Sequence, residues 1–199
     1  MQILILGSHG VGKSTLAKDL VKGLLAENRG NPPYIIDGVS RTVKAQGYEI
    51  NENGTGETQL EMFNRIMFEC CRKRKASHVI HVSSIPRVWA YSCWIHQAGN
   101  GTELSNQFMH MVRNVAGYQI AEMFDIVFWL PIEFDVEADG VRSVEGKFQK
   151  YIERAVRSLA VAYAQTGKIV SLTGDRQERV DASLEVVTRL VEERKKHLH

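Results

Sequence analysis

Residues 2–15 read QILILGSHGVGKST. Gln2-Ile3-Leu4-Ile5-Leu6 is an apolar run of strand length, and Gly7-Ser8-His9-Gly10-Val11-Gly12-Lys13-Ser14-Thr15 fills every fixed position of G-x-x-x-x-G-K-[ST]. Leu16 to Leu25 carry apolar residues at helical spacing, so the glycines lie between a buried strand and a helix. Gly7, Gly10 and Gly12 let the backbone turn several N–H groups toward one anion. The helix that follows adds unpaired N–H groups and the positive end of its dipole. Lys13 is expected to reach the β- and γ-phosphate oxygens of a nucleoside triphosphate, and the Ser14 hydroxyl to ligate Mg²⁺. The structural alternative is an ordinary glycine-rich turn. Strand, glycines, Lys-Ser pair and helix in register weigh against it.

Working outward, the 199 residues, 44% hydrophobic with only 4 prolines, suit one folded domain spanning 1–199. A net charge of +2 permits a polyanionic partner only where the positive charge clusters. Cys70, Cys71 and Cys93 form no C-x-x-C pair, which fits reduced thiols and a cytoplasmic location. The first strand begins at Met1, leaving no room for a signal peptide, and no apolar run approaches the ~20 residues of a membrane span.

Four further strands are expected, at Tyr34–Ile36, His78–Val82, Asp125–Leu130 and Lys168–Leu172, separated by helices. The pattern predicts an α/β fold, a five-stranded parallel sheet with helices on both faces. A helix is expected from Ser40 to Gln46. Another runs from a capping box at Thr58–Glu61 to Lys75, with Leu60, Phe63, Met67 and Cys70/Cys71 on its apolar stripe. A third spans Ser105–Met123, with Gly117 a weak point. Residues 47–56 and the acidic segment 132–146 read as mobile loops. Ligands of such sheets bind beyond the carboxyl ends of the strands.

That rule singles out Gly7 to Ser14, Asp37, Ser83/Ser84, the segment after Leu130 and Thr173 to Asp175. Asp37, just after the second strand, is placed to activate an acceptor hydroxyl or hold a metal-bound water; its structural alternative is an N-cap. Arg41, one turn on, could bind an acceptor phosphate or pair with Asp37. Arg142, alone in the acidic loop, is positioned to meet a transferring phosphoryl group, or is a solvated charge. Trp89, Tyr91 and Trp94 offer stacking surface or simply core. His81 reads as a hydrogen-bonded core histidine. Arg72-Lys73-Arg74-Lys75 either complements a helix end or contacts nucleic acid. The third strand ends in His81-Val82-Ser83-Ser84, without the aspartate that commonly orders Mg²⁺. Ser83 or Ser84 could hold a Mg²⁺ water, or Asp37 could take over. No Asn-Lys-x-Asp stretch selects guanine, which favours ATP.

The assembled pattern resembles the P-loop nucleoside and nucleotide kinases, near the ribosylnicotinamide-kinase and thymidylate-kinase-like group. GSHGVGKSTLAKDL matches their opening, IIDGVSRTVKAQG is similar to their second-strand segment, and DGVRSVEGKFQKYIERAV matches their lid. KIVSLTGDRQERV matches the last strand and the loop beside adenine, which implies nucleotide contacts for Thr173, Gly174 and Asp175. IHVSSIPRVWAYS departs from it: relatives read Asp-Arg-Ser and a further Asp there, and only Ala90-Tyr91 remains. With the basic cluster, this loss favours the branch of phage 5-hydroxymethyluracil DNA kinases. The expected reaction is ATP-dependent phosphorylation of a hydroxymethyl group on a pyrimidine within DNA. Lys13, Mg²⁺ and Arg142 would neutralise charge, Asp37 would act as base, and Arg41, Trp89 and Tyr91 would bind the acceptor. The alternatives are a kinase of a free nucleoside or mononucleotide and a nucleotide-binding switch. A homodimer is compatible with the chain.

Overall fold

The computed structural model describes residues 1–26, 32–73, 75–76, 78–98, 104–134 and 145–196. Five parallel strands form one sheet: β1 (Gln2–Leu6), β2 (Tyr34–Ile36), β3 (Val79–Val82), β4 (Ile126–Trp129) and β5 (Ile169–Ser171), in the order β2-β3-β1-β4-β5. β1 is central because it is flanked by both β3 and β4, with Leu4 opposite His81 on one side and Val127 on the other.

The two-residue period of β1 splits the core. Leu4 and Leu6 face a cluster with Ile36, Met62, Ile66, Tyr91 and Phe148, drawn from helices α3 (Gly56–Lys73), α4 (Ser84–Gln97), α5 (Asn106–Tyr118) and α6 (Gly146–Tyr163). Ile3 and Ile5 face Leu16, Leu20, Phe128, Val180 and Val187, with helices α1 (Lys13–Ala26) and α7 (Arg176–Lys196) closing that side. The short α2 (Val39–Ala45) follows β2. Both faces are thus covered, as the near-continuous apolar strands require.

Several local expectations are corrected. The capping box of α3 lies three residues earlier than Thr58–Glu61. Thr58 N–H donates to Thr55 Oγ1 at 3.2 Å and Thr55 N–H to Thr58 Oγ1 at 3.3 Å. The buried stripe of α3 is accordingly Thr58, Gln59, Met62, Ile66 and Cys70, while Leu60 is exposed. Asp37 is not an N-cap: Gly38 occupies that position of α2, left-handed at φ 77°, and no side chain caps the helix. The Ser105–Met123 helix changes register, passing from α5 into a π-helical turn over Gln119–Met123. Gly117 serves close packing: a Cβ there would stand 2.5 Å from the Tyr163 ring. His81 is a core histidine, 1% exposed. Burial pushes its imidazole down to about 4.

Candidate functional site

The loop after β1 turns at Gly7, where φ is 142° and a Cβ would meet the Leu130 carbonyl oxygen at 2.4 Å, so no side chain fits. Gly10 and Gly12 also have positive φ, 82° and 88°. Lys13 is buried and its Nζ donates to the Ser8 carbonyl, which keeps the ammonium inside the loop. Two neighbouring helices brace that loop from the protein side. Ser8 Oγ donates to the Gln149 carbonyl at 2.8 Å, and Gln149 Nε2 donates back to the His9 carbonyl at 3.0 Å. From α7, the buried Arg179 donates Nη1 to the Val11 carbonyl at 2.9 Å and pairs through Nη2 with Glu133. Gln149 and Arg179 lie inside the segments resembling the kinase lid and last strand, and Glu133 in the acidic segment, but which carbonyls and side chains they hold is visible only in three dimensions.

Two cavities share this loop. The first, about 670 Å³, is lined by Gly10, Gly12, Thr15, Glu133, Phe134, Gly174, Asp175, Arg176 and Arg179. Gly174 and Asp175 are among its lining residues. Thr173 does not line the cavity; it is exposed on the turn. Asp175 also caps α7, its Oδ1 accepting from the amides of Gln177 at 2.8 Å and Glu178 at 2.9 Å. Glu178 returns the bond to the Asp175 amide at 2.7 Å. Phe134 is half exposed and carries the Arg179 guanidinium 5.3 Å from its ring centre, an apolar wall with a cation behind it.

The second cavity opens on the other side of the loop. His9, Gly10, Gly12, Lys13, Ser14 and Thr15 line it together with Asp37, Arg41, Ser83, Arg87 and Tyr91. Three strand ends converge there because all five strands run the same way. Asp37 is exposed, and its Oδ1 accepts the Gly38 amide at 2.6 Å. The cavity continues into a deeper recess formed by Ser40, Ile50, Asn51, Thr58, Gln59, Met62, Arg87, Val88 and Tyr91. Tyr91 meets Phe148 edge-on at 5.1 Å, and burial raises its phenol. Trp89 is not brought to the cleft; it is half-buried and packed against the main core, and Trp94 packs on Phe148 and Tyr151. The sequence reading missed Gln59, Arg87 and Asn51. Polar residues in a recess leave no periodic signal.

Arg142 and most of the expected lid, residues 135–144, lie outside the described residues, as does Arg74 of the basic cluster. Arg72 pairs with Glu69 at 2.7 Å, and Lys73 Nζ sits 3.7 Å above the Tyr34 ring. Tyr34 begins β2, so this end of α3 is at the amino edge of the sheet, opposite the cleft. Among the described residues, no three His, Cys, Asp or Glu side chains gather to hold a metal, and no helix is long and apolar enough to cross a membrane.

The architecture and the loop define a P-loop kinase-like fold. No family model and no curated protein matches the sequence. Among solved structures, the chain is similar to deoxyadenosine kinase from M. mycoides with products dCMP and a flexible dCDP bound. That match has a TM-score of 0.68 at 13% identity and covers 95% of this chain and 100% of the other. It is also similar to NadR in complex with NR, with a TM-score of 0.69 at 14% identity, covering 94% of this chain and 50% of NadR. A second NadR complex, with NAD and AMP-PNP, gives 0.66 at 11% identity, covering 94% of this chain and 48% of NadR. This chain therefore spans about half of NadR. At these identities the likeness establishes the fold.

Proposed function

We propose that this chain is a kinase that moves the γ-phosphoryl group of ATP to a hydroxyl of a free nucleoside or nucleotide. One observation carries the reading: the phosphate loop is the shared wall between two cavities. Gly10, Gly12 and Thr15 line both. A donor whose base lies against Phe134 and Gly174 would present its terminal phosphate to Lys13 and Ser14. An acceptor entering the cleft lined by Arg41, Arg87 and Tyr91 would present its hydroxyl beside Asp37. Two substrates held on opposite sides of one anion cradle is the geometry of phosphoryl transfer.

In this reading Asp37 accepts the proton of the attacking hydroxyl while Arg41 and Arg87 supply positive charge to the acceptor side. Lys13 holds the donor phosphates. Mg²⁺, when bound, would neutralise charge on the donor oxygens. Ser14 lines the cleft beside Lys13 and Asp37, so its hydroxyl would be available to a metal held chiefly by the nucleotide itself. Arg142 completes the charge neutralisation from a lid over about 132–146, and the whole chain, 1–199, acts as one domain.

The free acceptor replaces the DNA acceptor that the sequence favoured. The basic cluster behind that choice stands at the amino edge of the sheet, and two of its members are engaged there, Arg72 with Glu69 and Lys73 with Tyr34. The structural neighbours are described with free nucleotides and NR. The test is a transfer assay with labelled ATP, a panel of nucleosides and mononucleotides, and duplex DNA containing 5-hydroxymethyluracil. Label in a small acceptor supports the proposal. Label in the polymer restores the DNA reading, and ATP loss with no labelled acceptor makes the chain a nucleotide switch.

A further inference from the structure

At the end of β3, where an acid is missing, the chain does something costly. Ser83 has φ 77° and ψ −46°, and Ser84 follows at φ 49°. Ser83 thus sits near the strained γ-turn region, and two consecutive non-glycine residues at positive φ persist only where their surroundings over-determine them.

Those surroundings are specific. Ser83 N–H donates to the Ile5 carbonyl at 2.9 Å, which extends the β1–β3 ladder by one residue. Gln119, 3% exposed in the π-helical turn, accepts through Oε1 from Ser84 Oγ at 2.9 Å and from the Ile85 amide at 3.3 Å. Its Nε2 donates toward Cys70 Sγ at 4.0 Å. Cys70 in turn lies 3.8 Å from His81 Nδ1, and His81 Nε2 donates to Gln2 Oε1 at 2.8 Å. A buried polar chain therefore runs from the start of β1 to the strained turn. Networks of this kind stabilise one geometry when every member is satisfied.

Ser84 is committed to that chain and Ser83 is not. The Ser83 hydroxyl is buried with no hydrogen-bond partner among the described residues, and Ser83 lines the cleft that holds Lys13, Ser14 and Asp37. A buried hydroxyl without a partner costs free energy unless something that binds the site supplies one.

We propose, on the kinase reading above, that Ser83 stands in for the missing third-strand acid by hydrogen-bonding a water of the nucleotide-bound Mg²⁺, and that Gln119 is the positioning residue that fixes the turn. A hydroxyl adds no charge to the metal's surroundings, in contrast to a carboxylate.

The test is calorimetric titration of the full chain with AMP-PNP, with and without Mg²⁺. The readout is the Mg²⁺-dependent gain in affinity. Ser83→Gly removes the hydroxyl and suits the positive φ, so the fold should survive. It should retain metal-free binding and lose about tenfold of the gain. Ser83→Asp should recover the gain. Gln119→Leu should lose it as Ser83→Gly does, and Gln119→Glu, which keeps the acceptor oxygen for Ser84 and Ile85, should restore it. An unchanged gain in Ser83→Gly overturns the proposal while leaving nucleotide binding intact. A wild-type chain that binds no AMP-PNP in either condition removes the kinase reading and this proposal together.

Discussion

Gln149 Nε2 donates to the His9 carbonyl at 3.0 Å, so the first turn of α6 holds the phosphate loop at its tip. Gln149 is 6% exposed, and its own carbonyl receives the Ser8 hydroxyl. Gln149→Leu keeps the volume and deletes the donor to the part-buried His9 carbonyl, at a cost of about 1–3 kcal/mol. The expected outcome is a lower denaturation midpoint together with a raised KM for ATP, measured by urea unfolding and steady-state kinetics. An unchanged KM would detach α6 from nucleotide binding.

Lys13→Ala should reduce phosphoryl transfer by at least about 10²-fold, since one preorganised charge aimed at the transferring group contributes on that scale. Far-UV circular dichroism should be unchanged. Retained transfer would place the chemistry away from the loop.

Asp37→Asn tests the base. The carboxylate is exposed and bonds the Gly38 amide, a contact that an amide oxygen can replace. Stability should therefore stay within about 0.5 kcal/mol, while kcat falls by about 10²–10⁴-fold. Arg142→Ala should lower kcat more than it weakens ATP binding. Pre-steady-state transfer with a nucleoside acceptor reads both.

Arg179→Met removes a buried cation that bridges the Val11 carbonyl and Glu133. The Glu133 side chain is 30% exposed, so solvent screens the pair and the loss should be about 1–3 kcal/mol rather than the larger cost of a fully buried pair. Thermal unfolding measures it, and the KM for ATP should rise because the base cavity loses a wall.

His81 makes stability depend on pH. Its imidazole titrates near 6.5 in the unfolded chain, whereas burial pushes it down to about 4 in the folded one. The folded state therefore binds this proton less readily. Its stability is full above pH 6.5, falls as pH drops toward 4, and is lower by up to about 3 kcal/mol at the bottom of that window. Burial lowers His78 as well, in the same direction. Urea unfolding at several pH values should show this slope, and His81→Gln should flatten most of it.

Residues 2–15 were legible because their chemistry is local: an apolar strand, glycines at positions that need positive φ, and a Lys-Ser pair opening a helix. Five strands and their parallel direction followed from the alternation of apolar runs with helical periods, whereas their order, β2-β3-β1-β4-β5, did not. Asp37 could be placed by the rule that ligands bind beyond the strand carboxyl ends, Arg41 by lying one helical turn from it and Tyr91 as an aromatic on the helix after the third strand, and all three line the cleft. Trp89 failed because an aromatic residue shows the same letters whether its face of the helix meets a cleft or the core. The basic cluster misled because composition says nothing about which edge of the sheet a helix end reaches.

The sequence by itself determined the strands and the anion loop, since apolar runs, helical periods and glycine spacing are local signals; the pairing of β1 with β3 and β4 joins segments far apart in the chain. Only the tertiary structure decided which distant groups brace that cradle and what each polar residue is committed to. Gln149 meets His9, Arg179 meets Val11, and Gln119 engages Ser84 while the Ser83 hydroxyl is left buried without a partner among the described residues. Such commitments arise from side chains dozens of residues apart satisfying one another away from water, and no local pattern records them.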